Sequence, residues 1–369
     1  MTKGIRDLRQ MQIAFQKVGG LTGGDPDCSI AVTPSARLVG TCGMKKNVNR
    51  VFPTDPTGLM SSHILGRRYD PWLLCELPIT TGEEGLTFEQ FPWYLAMGVQ
   101  SGGIGALVAG GRTWTFLPDL VNGDMPDLAT IRYGDNAAVW QTTCAFARQL
   151  TISAAAQGPW QMEADIIGRD MLNSYYWHGY GVYGGYADYP YPPYPYDMFF
   201  EPTLVYPTPL ETILGQNTSL YLDTTCTFTE KKTGYLIDWK VTIPGFHAKF
   251  FQDGELYYTT MGLASRSLTF EATMEFDDEV TKHVLWDACY GPIRKPIYVR
   301  LQGLGSVIVA PTRHSATIDM VLELESFETL DERDGNDTIK FTARSVYELA
   351  CDPAEWQVVV INTAAALPI

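Results

Sequence analysis

The sequence has few of the residues from which catalytic and metal sites are built. Its five histidines lie far apart, without an HxxxH or HxH pair, and its seven cysteines are scattered singly, without a CxxC motif. A zinc site or a disulfide framework is therefore not expected, and we predict free thiols, as in a protein made in a reducing cytoplasm. No GxSxG motif is present, and the glycine-rich residues 101–111 lack the spacing of a nucleotide-binding loop. We predict no catalytic site, no metal and no cofactor.

Long apolar runs and an excess of positive charge are also missing. No stretch approaches the roughly 18 consecutive apolar residues of a membrane helix, and residues 1–15 lack the apolar run of a signal peptide. We therefore expect a soluble protein that is synthesised in the cytoplasm. Asp and Glu number 42 against 27 Lys and Arg, which gives a formal net charge of −15. An acidic surface repels phosphate, so the protein is not expected to grip nucleic acid, although nucleic acid could slide past it.

The sequence does contain regular alternation of apolar and polar residues. Residues 150–157, 160–166, 268–276 and 318–324 alternate with a period of two. This pattern is typical of antiparallel strands that have one packed face and one polar face. The Asp334–Gly335 pair predicts a tight hairpin turn between two strands. The fold class is therefore expected to be mainly β.

Two segments have the pattern of helices instead. Residues 87–99 offer Thr87 as a candidate cap and place Phe88, Phe91 and Leu95 on one face, and residues 277–290 begin with acidic side chains. Each predicted helix is followed by a strand and a long hairpin, which suggests the internal duplication of one unit. The chain then divides into an N-terminal arm (1–26), a first domain (27–174) with a long loop (45–68), a Tyr/Pro/Gly-rich linker loop (175–209) and a second domain (210–369).

Several segments, taken together, are similar to one family of proteins. GLTFEQFPWYLAMGV at 85–99 resembles the helix of that family, and WTFLPD at 114–119 resembles the strand that follows it. LTISAAAQGPWQMEADIIGRD at 150–170 is similar to its hairpin, and VVVINTAAAL at 358–367 to its closing strand. On these segments the chain resembles the major tail tube proteins of long non-contractile-tailed bacteriophages, in their longer, duplicated-domain form. The Tyr/Pro-rich residues 175–197 depart from the family pattern.

The resemblance implies a structural virion protein and not an enzyme. Its fold would be two β-sandwich units, each with a flanking α-helix, whose sheets close into a β-barrel ring on oligomerisation. Trimeric rings would stack into a hollow, acidic-lined conduit, through which genomic DNA is ejected without specific binding. The implied partners are further copies of the chain, a tape measure protein, and tail terminator and distal tail proteins, all in the virion tail. Closure is physically favourable because it removes exposed strand edges.

Two sets of residues are candidates for this function. The strand carboxylates expected to line the lumen are Glu163, Asp165, Glu271, Glu275 and Glu323. For each of them, an ordinary solvated sheet surface is the alternative. The residues expected to form contacts between rings are Asn47, Arg50, Phe52, Asp55, Arg67 and Arg68. They lie in the loop at 45–68, which we expect, like the arm at 1–26, to be irregular and to gain order from a partner.

Three other functions fit parts of the same sequence. A distal tail or baseplate hub protein would form one ring and stop, whereas a tube protein would polymerise. A carbohydrate-binding β-sandwich module would use the aromatic residues 175–196 and would bind glycans. An acidic β-rich hydrolase would need a catalytic set, and none is visible in the sequence.

Overall fold

The computed structural model describes residues 10–16, 32–48, 73–102, 105–118, 125–134, 139–173, 204, 206–208, 210–250, 257–258, 260–263, 265–276, 285, 287–290, 295–333, 336–364 and 366–368. Strands account for 60% of the structure and helices for 7%. The prediction of a mainly β protein is therefore confirmed, and most of the strands belong to one large antiparallel sheet.

The strands range from 2 to 22 residues in length. In the first half they are β1 (Gln10–Phe15), β2 (Ala36–Leu38), β3 (Thr41–Cys42), β4 (Lys45–Val48), β5 (Leu73–Thr80), α1 (Phe91–Gly98), β6 (Ala106–Val108), β7 (Gly111–Phe116), β8 (Ala129–Gly134), β9 (Val139–Ala155), β10 (Gln161–Gly168) and β11 (Leu172–Asn173). In the second half they are β12 (Thr218–Asp223), β13 (Lys231–Lys232), β14 (Leu236–Pro244), β15 (Phe246–Lys249), β16 (Thr260–Leu263), β17 (Thr269–Glu275), α2 (Asp287–Tyr290), β18 (Ile297–Val309), β19 (Thr312–Arg333), β20 (Asn336–Ser345) and β21 (Trp356–Asn362).

Eight neighbouring strands form what we call the central sheet. Their order is β4, β5, β10, β9, β14, β17, β20, β19, and β3 lies beside β4 on the same edge of β5. Strand β9 pairs with β14 through residues 149–155 and 238–244. The two halves of the chain therefore share one hydrogen-bonded sheet.

The same order of strand pairing occurs twice along the chain. The first part of β9 (139–145) pairs with β8, which pairs with β1, and the first part of β19 (312–322) pairs with β18, which pairs with β12. The order β1–β8–β9–β10–β5 is thus matched by β12–β18–β19–β20–β17. Strand β21 pairs with both β19 and β7, which makes a second link between the halves.

The predicted alternation is confirmed in the strands of the central sheet. In β10, Met162, Ala164 and Ile166 are buried while Glu163 is exposed, and β17 alternates in the same way. Apolar side chains of this face join the main core, where the burial of each large side chain contributes about 1.5–3 kcal/mol. The predicted hairpin between β19 and β20 is also present, with Arg333 opposite Asn336. The turn residues Asp334–Gly335 lie outside the described residues.

Helix α1 confirms the first predicted helix but not its one-sided burial. It spans Phe91–Gly98, and Pro92 lies in its first turn, where the missing N–H costs nothing. The Thr87 hydroxyl accepts a hydrogen bond of 3.3 Å from the Gln90 N–H just before the helix begins. All eight residues of the helix are buried, because it contacts β9 and also β7. Of the second predicted helix (277–290), the structure describes α2 and Leu285, and residues 277–284 lie outside the described residues.

Two segments that we expected to be irregular contain strands. Strand β1, within the N-terminal arm, pairs with β8 and β2 and buries Met11 and Ile13. Its Gln12 is buried too, so the strand lacks the alternation by which it could be recognised in the sequence. The loop at 45–68 begins with β4, which pairs with β5. Residues 49–68, and nearly all of the linker at 175–209, lie outside the described residues.

The prediction that the cysteines are free thiols is wrong. Cys226 and Cys351 form a disulfide with Cα atoms 5.6 Å apart, and Cys144 is disulfide-bonded as well. Cys226 follows β12 and Cys351 precedes β21, and the pairing of β12, β18, β19 and β21 brings them together. They are 125 residues apart in the chain, a spacing that carries no signal in the sequence. Cys42, Cys75 and Cys289 are thiols that take part in no disulfide.

Candidate assembly surface

The outer face of the central sheet is a continuous polar surface, which we call the polar face. Cross-strand neighbours form one row of Thr80, Glu163, Thr151, Thr242, Thr269, Arg344 and Glu323. The next row is Gln161, Ser153, Lys240, Glu271, Thr342 and Ser326. At about 4.8 Å per strand, the first row extends about 29 Å across both halves of the chain.

All five predicted lumen carboxylates lie on this polar face. Glu163 and Glu323 stand in the first row and Glu271 in the second, while Asp165 neighbours Glu163 on β10 and Glu275 lies opposite Thr338. The structure therefore brings onto one surface five side chains from three strands, β10, β17 and β19. Of the six predicted inter-ring residues, only Asn47 is among the described residues, and its amide donates to Glu76 Oε1 at 3.0 Å. Arg50, Phe52, Asp55, Arg67 and Arg68 lie outside them.

The polar face carries basic groups as well as carboxylates. Its basic side chains include Arg148, Lys240, Lys340 and Arg344, and Lys45 at the β4 edge. Arg148 Nη2 lies 2.6 Å from Asp165 Oδ2, and Arg344 Nε lies 3.1 Å from Glu325 Oε1. Pairs this exposed contribute only about 0–1 kcal/mol each. Their main effect is to leave the described part of the face moderately, not strongly, negative.

The polar face has a depression where the two halves of the chain meet, at the pairing of β9 with β14. A depression of about 510 Å³ lies over β9, β14 and β17. Polar side chains that line it are Ser153, Gln161, Asp238, Lys240, Glu271 and Lys340. The depression shows that this part of the polar face is concave.

A second polar cluster, which sequence reasoning missed, lies between β18, β19 and the segment before α1, and its Glu89 and His314 are buried. His314 Nδ1 lies 3.0 Å from Glu211 Oε2, and His314 Nε2 lies 3.4 Å from Glu89 Oε1 without the geometry of a hydrogen bond. Glu89 Oε2 accepts the Glu211 N–H at 3.0 Å. Burial is the main cause that raises the pKa of Glu89 to about 7, and the charge of Glu211 acts in the same direction. Backbone N–H groups of Glu211 and Glu89 lower it in part.

Ser306, His314 and Glu89 superficially resemble the triad of a serine hydrolase. The Ser306 hydroxyl is 3.2 Å from His314 Nδ1, on the ring edge opposite Glu89. The same hydroxyl also donates to Glu211 Oε2 at 2.6 Å, and Glu211 Oε1 accepts the Ser306 N–H at 2.7 Å. A carboxylate therefore occupies the place where an oxyanion would need hydrogen-bond donors. The cluster is thus better suited to holding Glu211 against β18 than to catalysis.

The described residues contain no group of three or more His, Cys, Asp or Glu side chains arranged to hold a metal ion. Within the same part of the chain, no helix combines the length and the apolar character that a membrane span requires. No protein-family model matches the sequence, and a search among curated proteins found no match.

Proposed function

We propose that the protein is a major tail tube subunit, a structural virion protein whose rings stack into a conduit for DNA. The observation that carries this proposal is the central sheet, whose polar face continues in register across both halves. A wide, continuous polar surface suits the wall of a conduit better than a binding pocket. The sequence also offers few candidates for a catalytic site.

The open edges of the central sheet support closure into a ring. A wide sheet with two free edges is prone to aggregate unless the edges are covered or paired with another chain. Three copies of the eight strands would supply 24 strands. A barrel of that size would be roughly 45–50 Å wide between backbones. Barrels of 16–18 strands already enclose water-filled channels. A trimeric ring would therefore leave ample room for a DNA duplex.

The packing behind the central sheet supports the finer architecture that we propose, two β-sandwich units with flanking helices. One core cluster joins the apolar face of the central sheet to side chains of β7, β8, β18 and β21. The repeated pairing order gives each half an equivalent set of strands. In the ring, the polar face would line the lumen. The strands β7, β8, β18 and β21, on the other side of the core, would face outward.

The charge of the polar face suits DNA that slides through without being held. Glu163, Glu271 and Glu275 would repel phosphate, while Lys240 and Arg344 would keep that repulsion moderate. Arg50, Phe52, Asp55, Arg67 and Arg68, in the part of the loop at 45–68 that follows β4, stay our candidates for contacts between stacked rings, whereas Asn47 lies on β4 at the edge of the sheet. Tape measure, tail terminator and distal tail proteins would be the further partners in the virion tail.

Electron microscopy of the purified protein in negative stain tests the proposal. At high concentration and after mild warming, we expect hollow tubes of uniform width with a regular axial repeat. Averaged end views should contain three chains per ring. Single rings that never stack would instead favour a distal tail or baseplate hub protein, and persistent monomers would contradict both.

A further inference from the structure

Within the described residues, each end of the central sheet is a strand with a single neighbour, and the two edges have opposite charge. From Glu323 onward, β19 pairs with β20 alone among the described residues, and β4 pairs with β5 alone. The β4 edge carries Lys45 and Lys46, whereas the β19 edge carries Glu325 and Glu328. Lys45, Glu325 and Glu328 are exposed, and Lys46 pairs with Asp170 at 2.8 Å.

The pairing of β9 with β14 inside the chain provides a model for strand pairing between two chains. The central sheet consists of a first set of four strands (β4, β5, β10, β9) and a second set (β14, β17, β20, β19). Strand β9 is the last of the first set, and it pairs with β14, the first strand of the second set. Strand β19 ends the second set in the same way, and β4 begins the first. A copy of the β9–β14 junction would therefore join β19 of one chain to β4 of the next.

The registers identify which residue of β19 corresponds to which residue of β9. In the first set, one row of neighbours consists of Thr80, Glu163 and Thr151. In both sets the register of this hairpin shifts by one residue, between Asp165 and Ile166 in the first and between Leu324 and Ser326 in the second. Counted from that shift, the equivalent row of the second set consists of Thr273, Lys340 and Glu328. Glu328 thus holds in β19 the position that Thr151 holds in β9.

The same comparison identifies the equivalent residue on the opposite edge. Thr242 of β14 pairs with Thr269 of β17, four residues before Thr273. Lys45 of β4 pairs with Glu76 of β5, four residues before Thr80. Lys45 is therefore the equivalent of Thr242. Since Thr242 and Thr151 are direct neighbours inside the chain, the copied junction would make Lys45 and Glu328 direct neighbours between chains.

We propose that the β19 edge of one copy pairs antiparallel with the β4 edge of the next, with Glu328 opposite Lys45. This inference rests on the proposed function and names its docking surface. The charges specify the direction of assembly, because β19 against β19 would oppose carboxylates and β4 against β4 would oppose lysines. Pairing of unlike edges is a head-to-tail contact, which repeats until the ring closes.

A disulfide cross-link tests the register. Directly opposed residues of antiparallel strands have Cα atoms about 4.5–5.5 Å apart, within the range of a disulfide. In assembled protein carrying both Lys45→Cys and Glu328→Cys, oxidation should give covalent dimers and closed trimers. Each single variant controls for reaction of the native thiols Cys42, Cys75 and Cys289 and should give no such species.

Charge reversal tests the role of the two side chains. Lys45→Glu or Glu328→Lys alone should raise the concentration needed for half assembly by about tenfold or more. The two reversals together should restore assembly to within about threefold of the unmodified protein. Glu230→Lys is the control, since Glu230 is an exposed carboxylate outside the central sheet, and its assembly should not change.

The outcomes separate this pairing from the tube function. If the unmodified protein forms tubes but the double-cysteine variant gives no cross-link, the pairing is overturned while the tube stands. Cross-linked trimers that never stack would support the pairing and overturn the tube. A protein that stays monomeric without a cross-link would overturn both.

Discussion

The indole rings of Trp160 and Trp239 meet edge to face with their centroids 4.8 Å apart, although they belong to different halves of the chain. Trp160 is fully buried, and its Nε1 donates to the Thr218 hydroxyl at 2.8 Å, which is a second contact to the other half. This pair lies behind the junction of β9 and β14. The two halves therefore share a core as well as a sheet, and no domain boundary separates them at this point.

Removal of this contact should destabilise the whole protein and not one half. Trp239→Ala should lower the free energy of unfolding by about 3–5 kcal/mol, because it leaves a cavity against Trp160. Unfolding in urea, followed by fluorescence and by circular dichroism, should give one coincident transition at lower denaturant. Trp239→Phe, which keeps an aromatic ring, should lose less. Two separate transitions, with one of them unchanged, would contradict this prediction.

The buried Glu89 should make stability fall as pH rises. Its pKa is raised from 4.5 to about 7 in the folded protein, so between these values the folded state keeps a proton that the unfolded state has lost. Stability is therefore greatest below about pH 4.5 as far as this group is concerned, and it is lost as pH rises towards 7. Glu211 and His314 are the ionisable groups that face Glu89.

Glu89→Gln tests this pH dependence. The amide oxygen still accepts the Glu211 N–H, while the cost of the buried charge disappears. At pH 8 the variant should be more stable than the unmodified protein by about 2–3 kcal/mol, and near pH 4.5 the difference should vanish. Thermal melting across this range measures the effect, with the exposed Glu163→Gln as control. Burial also raises the pKa of Glu355, so some slope should remain. Parallel curves for the two proteins would be the contrary result.

Local patterns predicted the faces of the strands but not the neighbours of each strand. Met162 and Ala164 against Glu163 indicated which side of β10 is packed, and Phe270 and Ala272 indicated it for β17. The alternation is the same whichever strand lies alongside, so the pairing of β9 with β14 could not be predicted. Strand β1 and the outer side of α1 were missed because they are buried on both sides and lack a periodic polar face. Alternation places Glu163 and Glu271 on the polar faces of their own strands. Their shared surface, like the meeting of His314 with Glu89, depends on long-range pairing.

Positive charge in the proposed lumen should slow the passage of DNA. Reversal of Glu271 and Glu275 to Lys would place two cations on the polar face, where they would attract phosphate. We expect tubes to form normally and infectivity to fall by about tenfold or more, with partial recovery of DNA ejection in higher salt. Loss of the opposed Lys240–Glu271 pair should cost less than about 1 kcal/mol. Glu230→Lys, an exposed change outside the central sheet, is the control. Unchanged infectivity would mean that these residues do not line the lumen.

Contacts between rings should be separable from contacts within a ring. Strand β4 and the Asn47–Glu76 hydrogen bond belong to the sheet edge, so a clean test removes residues 52–62 and leaves β4 in place. If the loop joins stacked rings, the shortened protein should keep its melting temperature within about 2 °C, since a shorter surface loop costs little. It should form closed trimers by native mass spectrometry but no tubes by electron microscopy. Arg67→Ala with Arg68→Ala should weaken stacking in the same direction without any change in chain length. Tubes of normal length from the shortened protein would assign stacking to another surface.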